Sequence, residues 1–385
     1  MSPPAAREQV VILGNIDWSA AWQRHQIFAA AFAANGRDVF FIENTGFRNP
    51  SWKDLPRLWA RVAHALSPRT AGGSNAIPPG LRVFSPRVLP PTWRIFRALN
   101  SRFFLPALKR RLEAAGLRPA SACIVYVATA TTLELAKSFS PAALVYDCAA
   151  NFRAHPDAPA DFPAWERALL ALADQVVCDS DYLYGQKRAE HPCVEQIHQG
   201  VPADFFRLPP PRGTWDDFCY YGTWSRDLDP RFVDALADAG FRTTVRGFTQ
   251  GDAPALAPAV ARHVSVERGA LAASLGPYEG FLLPYRLTPF LLGVIPAKIY
   301  ECLATGRPVI ATPLPSLQAL EGLIYIGATP ADWLRIARDL PRTETPELRR
   351  RRVEHAHAHS AEAEFERFKA CVDAARSRRE AAARR

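Results

Sequence analysis

What most constrains this chain is a repeated alternation: short runs of wholly apolar residues, separated by stretches with helical spacing. The runs at 10–14 and 39–43 flank a helical stretch at 22–35, which Gly36 closes. Strand, helix, strand at this spacing is the parallel βαβ unit. Further runs at 123–127, 143–146 and 175–178 continue the pattern, with helical stretches between them. Strands without a polar face must be covered on both sides, which predicts a parallel sheet between two helical layers. The pattern stops at Leu208-Pro209-Pro210-Pro211-Arg212-Gly213, which suits neither a helix interior nor a central strand and reads as a linker. It then starts afresh. Strands are expected at 218–222, 243–247, 280–285 and 308–312, with Asp229-Pro230 opening one helix and Gly306 ending another at 297–304. The reading is α/β with two domains in tandem, 1–207 and 214–345, followed by a charged helical tail at 346–385. Ligands of open parallel sheets sit beyond the carboxyl ends of the strands, so the two domains are expected to face each other across a cleft.

With 385 residues, 48% of them apolar, each half can bury a core. The formal net charge of +9 asks for an anionic partner without choosing between nucleic acid, anionic lipid and a phosphorylated small molecule. The seven cysteines show no CxxC spacing and mostly lie in apolar runs, which argues against a disulfide framework and for a reducing compartment. The opening residues hold no apolar signal core, and no stretch reaches the roughly 18 apolar residues of a membrane span. A cytoplasmic protein is expected.

The most informative stretch is 296–312, which opens Pro296-Ala297-Lys298-Ile299-Tyr300-Glu301 and runs through Gly306 to Thr312. It resembles the donor-binding segment of GT-B glycosyltransferases of the broad family 4 type, with their exopolysaccharide and teichuronic-acid relatives. Three other stretches are similar to the same relatives: Asp17-Trp18 with Arg24 and Gln26; Tyr146-Asp147-Cys148; and Asp179-Ser180 followed by Gly200-Val201-Pro202-Ala203-Asp204-Phe205-Phe206. The resemblance implies two Rossmann-like domains in the GT-B arrangement and transfer of a sugar from a nucleotide-sugar donor, a UDP-sugar first among the options. It implies neither cofactor nor metal. The physics of the segment agrees with a donor site. Lys298 supplies a point charge for a diphosphate, and a helix start adds backbone donors. Glu301 shares the face of Lys298 one turn on, and the resemblance gives it the two ribose hydroxyls. The bland alternative is a surface ion pair. Relatives that retain configuration carry E-x7-E; here Glu301 fills the second place and Gly293 the first, which favours inversion.

An inverting transfer needs a base for the acceptor proton. Asp17 follows the first strand and Asp147 ends the 143–146 strand; Asp17 ranks first, because the loop after Asp147 continues with Ala149, Ala150 and Asn151. Each could instead be a loop carboxylate that caps a turn. The leaving diphosphate needs donors. Gly222-Thr223, Arg246 at a strand end, Tyr285 and Lys298 are placed for it, with Arg226 and Arg286 nearby in sequence. Asp227-Leu228-Asp229 spells a metal-binding DxD, but Asp229-Pro230 is better read as a helix start. His355, His357 and His359 are read as a solvated helix start, since a spacing of two does not put three ligands on one helical face.

Residues 48–118 form a basic aromatic segment. Trp52, Trp59, Trp93, Phe96, Phe103 and Phe104 are interleaved with Lys and Arg, and from Ser51 to Gly116 the only acids are Asp54 and Glu113. Such a segment suits an anionic membrane surface; nucleic acid would attract it too, and it could also be two core-packed helices with a solvated face. The reading preferred is a glycosyltransferase acting on a lipid-linked or polysaccharide acceptor at the cytoplasmic membrane face, with no nucleic acid bound. The alternatives are a nucleotide-sugar 2-epimerase, or a non-enzymatic nucleic-acid-binding protein, which would leave Lys298 and Glu301 without a role.

Overall fold

A computed structural model describes residues 7–20, 22–47, 76–91, 93–119 and 121–384. The chain forms two compact units, Met1–Ile197 with Phe365–Arg385, and His198–Glu364. In the first unit seven strands are paired in the order β3-β2-β1-β4-β5-β6-β7, all parallel: β1 Gln9–Leu13, β2 Asp38–Ile42, β3 Leu81–Phe84, β4 Ala122–Val125, β5 Ala143–Cys148, β6 Gln175–Cys178 and β7 Val194–Gln196. The central strands are buried on both faces, as their unbroken apolar sequences require. The helix Arg24–Ala34 joins β1 to β2 and starts at a capping box in which Gln23 and Gln26 exchange side-chain and backbone bonds. The chain adds β2 and β3 on one side of β1, then returns to its other side with β4. This reversal opens a crevice at the carboxyl ends of β1 and β4.

The second unit repeats the plan with six parallel strands in the order β10-β9-β8-β11-β12-β13: β8 Asp217–Tyr221, β9 Arg242–Arg246, β10 Ala261–His263, β11 Gly280–Leu283, β12 Val309–Ala311 and β13 Tyr325–Ile326. Here the order reverses between β8 and β11. The fold class is thus the expected one, two doubly wound α/β units.

The boundaries differ from those the sequence suggested. The division falls at Ile197/His198, before the proline run and not after 207. Val201 and Phe205 lie in the second unit's core. The proline run is no free linker: Glu279 accepts from the backbone N–H groups of Arg212, Gly213 and Thr214, and Arg307 donates to the Pro209 carbonyl. The tail is helical but is not a separate segment. The helix Pro346–His357 stays with the second unit, where buried Arg352 pairs with Glu344. The helix Ala361–Ala383 returns to the first unit, with Phe365 and Phe368 against Phe32 and Phe28.

Candidate functional site

In the second unit, the strand-order reversal brings the end of β8 beside Lys298. Tyr220 and Tyr221 close that strand, and Gly222 follows at φ +115°; a β-carbon there would lie 2.7 Å from Lys298 Nζ. A β-carbon on Gly247, at φ +144°, would lie 2.1 Å from the Gly222 carbonyl oxygen. The two glycines therefore let two backbone turns and a lysine approach more closely than any side chain allows. Lys298 donates to the Tyr220 hydroxyl at 3.2 Å, and its ammonium sits 4.2 Å from the centroid of the Tyr220 ring and 5.9 Å from that of Tyr285. Burial pulls its pKa down, and the surrounding tyrosines pull it up by more, so it stays a cation. Lys298 is the N-cap of a helix of only six residues, Ile299–Ala304, so the local charge outweighs any helix dipole.

Glu301 accepts from the Tyr221 hydroxyl at 3.0 Å. Burial pushes its carboxyl up to about 7, against the pull of Tyr221, Arg268 and Lys298. Lys298 and Glu301 thus flank the end of β8 and do not form a surface ion pair with each other.

The other donor-side residues have mixed fates. Gly222 offers no free backbone donor, because its N–H bonds to the Arg246 carbonyl at 2.9 Å; its contribution is space. The Thr223 carbonyl accepts from the Tyr220 hydroxyl at 2.9 Å. Arg246 is engaged with His263 Nδ1 at 2.9 Å, its neighbour on β10, and with the Tyr278 hydroxyl at 3.2 Å. Asp229 caps the helix Pro230–Asp238, accepting from the Arg231 N–H. The histidines are not a solvated helix start. They close the helix Pro346–His357: His355 and His359 pack around the Tyr300 ring, whose hydroxyl lies 3.1 Å from His198 Nε2, while His357 stacks on Phe206.

In the first unit, Asp147 is wholly buried and receives Arg24 Nε on both oxygens, at 3.0 and 2.8 Å, while Arg24 Nη1 donates to the Ile197 carbonyl at 2.7 Å. Burial raises the Asp147 pKa and Arg24 opposes the rise. Asp17 is half-buried in the turn after β1, where its carbonyl accepts from the Ala20 N–H at 3.0 Å. What the sequence reading missed is what surrounds the pair: His25, whose ring lies 3.9 Å from that of Tyr126, and Asp179, whose charge acts on Arg24. Arg24 and Asp179 lie in two separate stretches of the sequence, and nothing local joins them.

The basic aromatic segment is described only in part; Trp52 and Trp59 lie outside the described residues. Several of its cations have internal partners: Arg97 pairs with Asp161 at 2.7 Å, Lys109 donates to the Ser138 carbonyl, and Arg111 lies over Phe84. Trp93, Ile95 and Phe103 are 56%, 66% and 59% exposed, and Arg94, Arg102 and Arg110 are exposed too. Among the described residues no helix is long and apolar enough to cross a membrane.

No protein-family profile and no curated protein matches the chain. Solved structures do. A sucrose-phosphate synthase from Thermosynechococcus elongatus superposes with a TM-score of 0.67 at 16% identity, over 94% of this chain and 98% of that one. Anabaena HepE, solved in complex with UDP and glucose, gives 0.62 at 13% identity, over 96% and 100%. WaaG, a glycosyltransferase involved in lipopolysaccharide biosynthesis, gives 0.57 at 12%, over 96% and 98%. The chain therefore has the two-unit GT-B fold of glycosyltransferases.

Proposed function

We propose that this protein is a glycosyltransferase that moves a sugar from a UDP-sugar to a hydroxyl acceptor. The observation that carries the reading is the pair Lys298 and Glu301 at the strand-order reversal of the second unit, a cation for a diphosphate and a carboxylate for the ribose diol, beside two glycines that hold the backbone clear. The choice of UDP is supported by HepE, a structural neighbour that binds UDP and glucose. Lys298 neutralises charge as the nucleoside diphosphate departs, and Glu301 orients the ribose. The test is thermal unfolding with UDP, GDP and a DNA oligomer. UDP at about 100-fold its Kd should stabilise the protein by about 2.7 kcal/mol. No shift with UDP, or an equal shift with DNA, would overturn the reading.

The acceptor we favour is lipid-linked, at the cytoplasmic membrane face. Exposed Trp93, Ile95 and Phe103, in sequence beside exposed Arg94 and Arg102, support it as an apolar anchor with a cationic rim. Sedimentation with phosphatidylglycerol vesicles, but not phosphatidylcholine ones, is expected, with release at high salt. Retention of the variant carrying Trp93→Ser, Ile95→Ser and Phe103→Ser would sink the membrane reading and leave the donor reading standing.

A further inference from the structure

Two consecutive tyrosines close β8, and successive side chains of a strand point to opposite faces. Tyr220 lies edge-on to Trp224 at 5.5 Å, and Tyr221 lies edge-on to Phe281 at 5.7 Å, in two different clusters of the second unit's core. Both tyrosines are buried, and this packing fixes both rings. Each ring ends in a hydroxyl, and each hydroxyl meets one member of the donor pair. Lys298 Nζ donates to Tyr220 at 3.2 Å, and Tyr221 donates to Glu301 Oε2 at 3.0 Å. All four residues belong to the second unit.

The direction of each bond follows from the chemistry of a phenol, which has a single hydrogen to give. Tyr220 gives its hydrogen to the Thr223 carbonyl at 2.9 Å, so it meets Lys298 only as an acceptor. The ammonium is held from several sides at once. The ring of Tyr220 lies 4.2 Å away, those of Tyr221 and Tyr285 lie 5.6 and 5.9 Å away, and the turn at Gly222 comes so close that a β-carbon would stand 2.7 Å from Nζ. A lysine normally gives up rotamer freedom when it takes a ligand; one already held gives up little. Its two remaining hydrogens serve an anion. Tyr221 makes its shortest polar contact with Glu301, the Lys298 carbonyl and Cys302 Sγ both standing at 3.5 Å. It anchors the carboxylate by one oxygen and so sets its orientation. We propose that Tyr220 and Tyr221 are positioning residues with separate duties: Tyr220 aims Lys298 at the diphosphate, and Tyr221 aims Glu301 at the ribose diol; this rests on the glycosyl-transfer reading. One strand end then sets both halves of nucleotide recognition, each from its own face.

The test uses three ligands: UDP and 2′-deoxy-UDP by calorimetric titration, and uridine by nuclear magnetic resonance titration. The proteins are the wild type, Tyr220→Phe, Tyr221→Phe, Lys298→Ala, and Tyr220→Phe combined with Lys298→Ala. Each tyrosine change removes one oxygen and keeps the ring and its packing, so both variants are expected to fold. Tyr220→Phe should weaken UDP and 2′-deoxy-UDP alike, by about 3- to 10-fold, the range for one hydrogen bond. It should leave uridine, which has no phosphate, unchanged. Where Lys298 is already alanine, it should cost nothing further. Tyr221→Phe should weaken UDP and uridine by a similar factor and 2′-deoxy-UDP by less, which narrows the preference for the 2′-hydroxyl. It should also move a pH profile. Tyr221, Arg268 and Lys298 hold the Glu301 carboxyl down against burial and Asp204, with the balance at about 7. Without the Tyr221 hydroxyl, UDP affinity should rise with pH through a higher midpoint than in the wild type. Three results overturn the assignment while UDP still binds the wild type: the same loss in both variants for all three ligands, a Tyr220→Phe loss that persists in full without Lys298, or wild-type affinities and pH midpoint in both. A wild type that does not bind UDP refutes the parent reading, and the positioning roles with it.

Discussion

Glu301→Gln should separate nucleotide binding from stability, and in opposite directions. The Glu301 carboxyl titrates at about 7 in the folded protein, against an ordinary value of 4.5. A ribose diol donates two hydrogen bonds only to the ionised form. Affinity for UDP should then rise with pH, and between pH 6 and pH 8 the ionised fraction changes enough to strengthen binding about tenfold, or roughly 1.4 kcal/mol. The phosphate of UDP has its own ionisation near pH 6, so the wild-type slope alone is ambiguous. Glu301→Gln keeps the phosphate term and removes the other; the difference between the two curves belongs to Glu301. Stability runs the other way. Because the folded pKa lies above the unfolded one, the folded protein holds the extra proton between about pH 4.5 and 7. The contribution to stability is full below that window and is lost as pH rises through 7. At pH 8 the buried charge costs up to about 3 kcal/mol. Without ligand, the Gln variant should therefore melt at a higher temperature than the wild type at pH 8 and bind UDP more weakly. Calorimetric titration at four pH values, with melting curves at the same points, measures both. Identical pH slopes in the two proteins would refute the reasoning, as would a Gln variant that is both less stable and weaker-binding, since that is mere damage.

Three other outcomes are expected. Lys298→Ala should lower UDP affinity by about 1.5–3 kcal/mol, the range for a charge-assisted bond, with little change in melting temperature; isothermal titration reads it. Gly247→Ala should destabilise more than Gly222→Ala in urea unfolding, because its β-carbon meets a backbone carbonyl oxygen where that of Gly222 meets the movable end of Lys298. Each adds about 1–3 kcal/mol of strain from its positive φ. Asp147→Asn should cost about 3–5 kcal/mol in the same assay, the usual penalty for breaking a buried ion pair from one side; a neutral outcome would mean that Arg24 finds another partner.

Much of the fold could be read in the sequence because the central strands are buried on both faces. The apolar runs that mark β1, β2, β4, β5, β6, β8, β11 and β12 are the direct result of that burial. The edges carry no such mark. β10 is exposed along its length, β13 has two residues, and β3 buries only its two ends, Leu81 and Phe84. The final helix was misplaced for a related reason: its charges are conspicuous, while Phe365, Phe368, Val372 and Ala375 form a thin stripe whose partner helix begins far away, at Arg24. Lys298 and Glu301 were legible because a single short helix holds both. The pair Arg24 and Asp147 was not, since 123 residues separate them and only the sheet brings them together.

That buried pair also bears on how the first unit is built. A buried ion pair is about as stable as an apolar pair of the same shape, so stability alone does not explain Arg24 and Asp147. Geometry gives a better account. Nε is held by the carboxylate and Nη1 by the Ile197 carbonyl, which fixes the guanidinium plane from two directions and leaves Nη2 as the one group without a partner among the described residues. Phe28 and Phe368 lie against the same guanidinium, at 4.8 and 5.8 Å, and leave it little room to turn. A donor held this firmly before any ligand arrives loses little freedom when it bonds, which is what a preorganised electrostatic site requires. Lysine could keep the charge but could not reach three directions from one nitrogen with a fixed plane. The planar fork, and not the positive charge by itself, is therefore what the position demands, and Asp147 serves it by aiming Arg24.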